Sequence, residues 1–323
     1  VLPCQGIGDA LLMMIASQRL LEEGYKVTTY HASLHELASW FPGHRFLPAP
    51  PIEQYEAAFG AYDLLVAEND NSAKISALRR LFGRTSLSLF YPTYCSRKHP
   101  PLSSRDKTFQ ETLPMADNIA LAIAALLESE EVTKNNGLTP PDAAVHRSHP
   151  RRILIHPESR DPRKNWSARR YAKTAEKLSS LGYEPVFICA PDEHKKWKEA
   201  LPPGAALPLF LTLSELALYV YESGALIGND SLIGHLASNL DVPTLVIADD
   251  WKRMQLWRPG WLPGAVLTCP YWVPNVKYLR LRKRHWRAFV TPRAVLDAFQ
   301  KLMRPVESGV DVRADVLTTH PVD

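Results

Sequence analysis

The chain has 323 residues, 46% hydrophobic and 22% charged, ordinary figures for a globular protein with a real core and, at ~100–200 residues per domain, for about two domains. Thirty-eight Lys and Arg against 34 Asp and Glu leave a net charge of +4, too mild a balance for a dedicated nucleic-acid binder. The longest apolar run, 119–127, falls well short of the ~18–20 residues that span a bilayer, so no transmembrane helix is expected.

The chain opens at Val1 with no basic stretch leading into an apolar one, which reads as a trimmed start and not as a signal peptide. Cys4, Cys95, Cys189 and Cys269 are widely spaced; they make no CxxC motif and no disulfide framework, and read as buried or incidental thiols of a cytoplasmic protein.

In chain order, a short strand ends near Cys4, followed by a glycine turn and a helix over 9–23 with a 3.6-period apolar stripe, stopped by Gly24. Strands are expected over 26–30, 62–67 and 85–90, and helices over 34–40, 72–81 and 108–127. Segment 128–150 is charged and aperiodic, holds Asn135-Asn136-Gly137 and Pro140-Pro141, and reads as a linker. The alternation then restarts. Strands are expected over 153–156, 184–189, 225–228 and 243–248, with helices over 167–181, 192–200, 213–222, 231–239 and 291–303. Residues 304–323 read as a disordered polar tail. Alternating β and α with short links implies parallel sheets covered by helices. The expected organisation is two Rossmann-like domains, 1–148 and 149–303, facing across a cleft.

Three loops carry chemistry, each between a strand and a helix, where ligands bind in parallel α/β folds. The first is Gly6-Ile7-Gly8-Asp9. A dinucleotide fingerprint needs a third glycine at position 11, which is Leu11, so a nicotinamide or flavin site fails on its own motif. Asp9 is either a helix cap or a catalytic base. The second loop runs from His156-Pro157-Glu158-Ser159 to Lys164-Asn165-Trp166. Its cations beside a helix start that Ser167 would cap suit an anion; the alternative is a solvated charged loop. The third is Asn229-Asp230-Ser231-Leu232-Ile233-Gly234-His235, where free helix N–H groups suit a diphosphate, unless Asp230 and Ser231 only cap. His31 and His35 lack the third ligand that zinc needs, and no P-loop occurs. The run 277–287, with six Lys and Arg, Tyr278 and Trp286, reads first as a solvated basic face and second as a surface for anionic lipid or nucleic acid.

Together, in this order, the loops resemble glycosyltransferase family 9, the family of the bacterial lipopolysaccharide heptosyltransferases. The matching residues are Gly6 to Leu11, His156-Pro157 through Lys164-Asn165-Trp166, Ala190-Pro191-Asp192-Glu193, Asn229 to His235 with Leu236-Ala237, and Val242-Pro243-Thr244. Leu232 departs from the pattern, standing where the family usually has glycine.

The resemblance implies a GT-B fold and an inverting enzyme that moves a heptose from ADP-heptose to an inner-core lipopolysaccharide acceptor, without a metal or other cofactor. Asp9 would be the catalytic base. Ser159, Lys164, Glu193, Asp230, Ser231, Leu232 and His235 would bind the donor, and Gly8, Arg97 and Lys98 the acceptor. The implied location is cytoplasmic, with peripheral contact at the inner membrane. The alternatives are another nucleotide sugar, a protein acceptor, or a GT-B-fold binding protein without turnover.

Overall fold

The structure, a computed structural model, describes residues 1–83, 86–262, 264–274 and 281–304. The expected tail beyond Arg304, and Lys277 and Tyr278 of the basic run, lie outside the described residues. Contacts divide the chain into two compact units, Val1–Pro141 and Asp142–Asp323, a division that falls inside the segment read as a linker.

The first unit contains α1 (Ile7–Glu22), β1 (Thr28–Tyr30), β2 (Arg45–Leu47), α2 (Tyr55–Phe59), β3 (Leu65–Glu68), α3 (Ala73–Phe82), β4 (Leu87–Tyr91), β5 (Lys107–Thr108) and α4 (Met115–Leu126). Strands β3, β4 and β5 form one parallel sheet, and β1 pairs with β2. Residues 1 and 2 join the two pieces. Leu2 bridges Ala67 in parallel, the Val1 nitrogen donates to the Thr28 carbonyl at 2.7 Å, and the Tyr30 N–H donates to the Val1 carbonyl at 2.9 Å. Counting that segment as the first strand gives the doubly wound order 3-2-1-4-5-6, with its switch point between residues 1–2 and β3. Pro3 cuts the segment short, because proline cannot donate to a ladder.

Several elements depart from expectation for visible reasons. Helix α1 is buried on nearly every side from Ala10 to Ser17, so it is a core helix and not a one-sided stripe. Residues Ala32–Trp40 form a 3-10 run; its buried Leu34, Leu37 and Trp40 recur every three residues, which matches three residues per turn. The helix expected from 108 starts only at Met115. Pro114 holds the cap position and disfavours helical backbone in the residue before it. The segment read as a linker is also strapped down. Asn136 is buried and donates to the Leu11 carbonyl at 3.2 Å, the Thr139 N–H donates to the Trp40 carbonyl at 2.7 Å, and Arg19 grips Glu131 at 2.7 Å.

The second unit contains β6 (His149–His156), α5 (Ala168–Ser180), β7 (Glu184–Phe187), α6 (His194–Ala200), α7 (Leu213–Tyr221), β8 (Ser223–Asn229), α8 (Leu232–Asn239), β9 (Thr244–Ile247), α9 (Trp251–Trp257), β10 (Ala265–Leu267), α10 (Leu281–Phe289) and α11 (Pro292–Met303). Its five parallel strands lie in the order β10-β9-β8-β6-β7. In chain order that is 5-4-3-1-2, the flavodoxin-like arrangement, with the switch point between β6 and β8. Every residue of β8 is buried, as a central strand covered on both faces should be. The core joins Ile153, Ile155, Ile227, Leu245 and Ile247 of the sheet to Tyr171 of α5 and Phe299 of α11. Cys4, Cys189 and Cys269 are buried free thiols, whereas Cys95 is exposed.

Candidate functional site

In the second unit the two chemistry-bearing loops leave the carboxyl ends of β6 and β8, the strands that flank the switch point. One buried amide joins them. The Asn229 side chain accepts from the Trp166 N–H and the Tyr171 hydroxyl, both at 3.0 Å, and donates to the Pro157 carbonyl at 2.6 Å. Within the first loop, Ser159 donates its N–H and its hydroxyl to the Asn165 side-chain oxygen, each at 2.8 Å. The Trp166 indole N–H reaches the Val290 carbonyl at 3.0 Å. Arg287 donates to the carbonyls of Asn165, Pro162 and Arg163 at 2.6, 2.9 and 2.8 Å. The reading of 277–287 as a solvated basic face is therefore wrong for its described carboxyl-terminal end. Trp286 is buried, and Arg287 braces the loop because a planar guanidinium can serve several carbonyls at once.

The charged centre lies where the two loops meet. Lys164 donates to Asp230 Oδ2 at 3.0 Å, and Arg253 reaches the same oxygen at 3.2 Å while pairing with Asp249 at 2.8 Å. Two cations thus share one carboxylate beside the start of α8. The sequence reading missed Arg253. It stands on α9 after β9, another carboxyl-end position, and the run Asp249-Asp250-Trp251 ahead of it was the available signal. Ser231 holds the cap position of α8, but its side chain makes no capping bond to the helix. Its hydroxyl instead lies 3.1 Å from His156 Nδ1, so the side-chain cap considered for Ser231 is not made. Burial holds the His156 imidazole down at about 4, and the ring is neutral near neutral pH. Gly228 admits this close approach; a Cβ there would lie 3.0 Å from the His156 carbonyl oxygen. Leu232 is the first, partly buried residue of α8, and His235, one turn on, is buried. Burial lowers the His235 pKa, and its Nδ1 has no hydrogen-bond partner.

Glu193 ends a 3-10 turn after β7. Lys196 ties it to the first loop, bonding Glu193 and Glu158 at 2.6 Å each, while the other Glu158 oxygen accepts from the Trp197 indole at 2.8 Å. Ser159, Lys164, Asp230, Ser231, Leu232 and His235 thus belong to two stapled loops, with Glu193 joined to them through a lysine. Ser167 holds the cap position of α5, also without a side-chain capping bond.

In the first unit, Gly6 holds the cap position of α1, and Gly8 and Asp9 lie in its first turn. Asp9 is therefore not the N-cap, the structural role open to it on sequence. Its carboxylate turns back over the glycine turn: a Cβ on Gly6 would lie 2.5 Å from Asp9 Oδ2. A side chain at position 6 would displace that carboxylate from this orientation. Arg97 and Lys98 are exposed in the turn that follows β4, where the Lys98 N–H bonds the Cys95 carbonyl at 2.9 Å. His31 lies 3.2 Å from the Gln5 carbonyl oxygen. Among the described residues no group of three or more His, Cys, Asp or Glu side chains gathers as metal ligands, and no helix is long and apolar enough to cross a membrane.

Residues 103–252 match the family model of glycosyltransferase family 9 (heptosyltransferase). The chain is 23% identical over 281 residues to lipopolysaccharide heptosyltransferase 3 of Escherichia coli, covering 78% of each protein. Among solved structures it is similar to the ADP-heptose lipopolysaccharide heptosyltransferase II of E. coli, with a TM-score of 0.66 at 16% identity over 93% of this chain and 97% of that one. It is also similar to the E. coli heptosyltransferase WaaC with ADP, at a TM-score of 0.62 and 12% identity over 93% and 98%. These likenesses show the GT-B fold.

Proposed function

We propose, for a chain that is a family 9, heptosyltransferase-like glycosyltransferase, that it moves a heptose from ADP-heptose to an inner-core lipopolysaccharide acceptor with inversion and without a metal. The observation that carries this reading is the pair of cations on Asp230, set beside the start of α8 at the switch point of the second sheet. A departing nucleoside diphosphate needs its developing charge met. Fixed cations and helix N–H groups meet it where no metal does.

On this reading Lys164 and Arg253 turn from Asp230 toward the diphosphate, and the first amides of α8 add their N–H groups. Ser159 and Ser231 offer hydroxyls to phosphate or sugar, His235 lines the far side of that helix start, and Glu193 meets the nucleoside. In the first unit Asp9 takes the proton from the acceptor hydroxyl as that oxygen attacks the anomeric carbon. The carbon–oxygen bond to the diphosphate breaks on the opposite face, which inverts the centre. Gly8 leaves room for the acceptor, and Arg97 and Lys98 attract its anionic groups. We place the enzyme in the cytoplasm, working on an acceptor at the inner face of the membrane.

The test is product formation from ADP-heptose and a heptose-deficient core acceptor in the presence of EDTA, with calorimetric titration of ADP, UDP, GDP and dTDP. Tighter binding of ADP than of the other three, and chelator-resistant transfer with an inverted anomeric centre, are expected. Preference for another nucleotide overturns the donor, and loss of turnover in EDTA overturns the metal-free mechanism.

A further inference from the structure

The proposed mechanism leaves one buried acid of the first unit unused. Glu68 ends β3 and is 2% exposed. It lies at the switch point, across from residues 1–2: its N–H donates to the Leu2 carbonyl at 3.3 Å. Its carboxylate Oε2 is 3.4 Å from the N–H of Cys4, and the Cys4 thiol points at the Glu68 carbonyl oxygen at 3.9 Å. Cys4 opens the turn that carries Asp9, whose own carboxylate folds back over that turn. Two carboxyl groups therefore border the segment Cys4–Asp9, Glu68 at its Cys4 end and Asp9 over Gly6.

Lys74 of α3 acts on Glu68 with its positive charge and donates to the Pro3 carbonyl at 2.6 Å. Cys4 supplies the N–H already named. Asp70, beyond β3, adds negative charge on Cys4, and His31, on the Gln5 side of the turn, is held neutral by burial with Lys74 adding to the effect. Burial, and next the charge of Asp9, push the Glu68 carboxyl up to about 8, against the smaller opposing pull of Cys4 and Lys74.

We infer that Glu68 is a positioning residue for the base: buried at the end of β3 against the Cys4 N–H, it supports the turn that carries Asp9 as a neutral acid, and its ionisation disables the turn by setting a buried charge beneath it. The inference rests on the reading of Asp9 as the base. A carboxyl taken out of water with one long N–H donor resists ionisation, and a second carboxylate on the same segment adds to that resistance.

Two measurements test it. In the wild type, kcat should fall on the alkaline side by about tenfold per pH unit once Glu68 has ionised, the limiting slope for loss of one essential proton. Glu68→Gln, which cannot ionise, should lose that limb. Glu68→Ala should lower kcat with KM unchanged, and Gln should recover most of the loss. Superposable pH profiles for wild type and Glu68→Gln would overturn the proposal.

The second measurement needs no turnover. The infrared carbonyl stretch of a protonated carboxyl, present in the wild type and absent from Glu68→Gln, is followed against pH, and Asp9→Asn should shift its titration downward. If Asp9→Asn abolishes transfer but leaves that titration in place, the coupling is wrong and the base reading stands. If the titration shifts while transfer persists, Asp9 is not the base and the proposal falls with that reading.

Discussion

Asp9 carries the sharpest single test. It lies in the first turn of α1 and not at the cap, where its charge near the helix N-terminus contributes about 0.3–1 kcal/mol. Asp9→Asn keeps the size and removes only the basic oxygen pair. The melting temperature should stay nearly constant while kcat drops by about 100–10,000-fold, the usual worth of a general base, and ADP affinity should hold. Near-normal transfer on the correct acceptor would reduce Asp9 to a helix residue. At the donor, Lys164→Ala and Arg253→Ala should each weaken ADP binding about tenfold to a hundredfold, since a charge-assisted bond contributes ~1.5–3 kcal/mol. The double variant should lose less than the sum, because both cations share Asp230 and such pairs are not additive. Leu232→Gly should tighten ADP binding if the side chain at the start of α8 crowds the diphosphate; weaker binding would make Leu232 an adapted wall of the pocket.

Between elements, the loop after β6 is held from outside by α10. Arg287 grips three successive stretches of loop backbone, and Trp166 is pinned to Val290. Arg287→Ala should weaken ADP binding severalfold through loss of loop order, with a change in melting temperature that Lys164→Ala does not show; ADP titration and calorimetry on both variants check it. This dependence was not legible in the sequence. A run of six cations looks like a solvated face, and only the fold reveals that its last arginine meets backbone some 120 positions earlier. Arg253 escaped for a related reason. Its helix, Trp251–Trp257, spans seven residues, too short for a periodic signal. By contrast, the positions of the loops after β6 and β8 were readable, because a polar stretch with glycine or proline between a strand pattern and a helix pattern marks a strand-to-helix turn. Asn229 shows the limit. Its place in the motif was visible, but its work is to staple two loops, which spacing cannot tell from ligand binding.

Across the whole chain, buried titratable groups oppose one another as pH changes. Burial lowers His44 in the first unit and His156 in the second to about 4, against an unfolded value near 6.5. Between those limits the unfolded chain binds more protons than the native one, so stability rises with pH across about 4 to 6.5 and is lost on acidification. Glu68 has the opposite sign. Its native value of about 8 lies above the unfolded 4.5, so the native state binds the extra proton and stability is lost as pH rises from 4.5 toward 8. The first unit holds groups of both kinds, His31 and His44 lowered and Glu68 raised, whereas in the second His156 and His235 are lowered with no raised carboxyl among those described. Calorimetric scans should therefore show the melting temperature falling as pH drops from 7 to 4, and His156→Asn should flatten part of that fall. Glu68→Gln should instead raise the melting temperature above pH 7 and steepen the acid fall down to about pH 4.5, because the opposing group is gone. An acid fall that His156→Asn leaves unchanged would mean that His156 takes up its proton in the folded chain as readily as in the unfolded one. The loops after β6 and β8 would then gain a third cation beside Lys164 and Arg253 on acidification, and ADP affinity would rise as pH falls through 6.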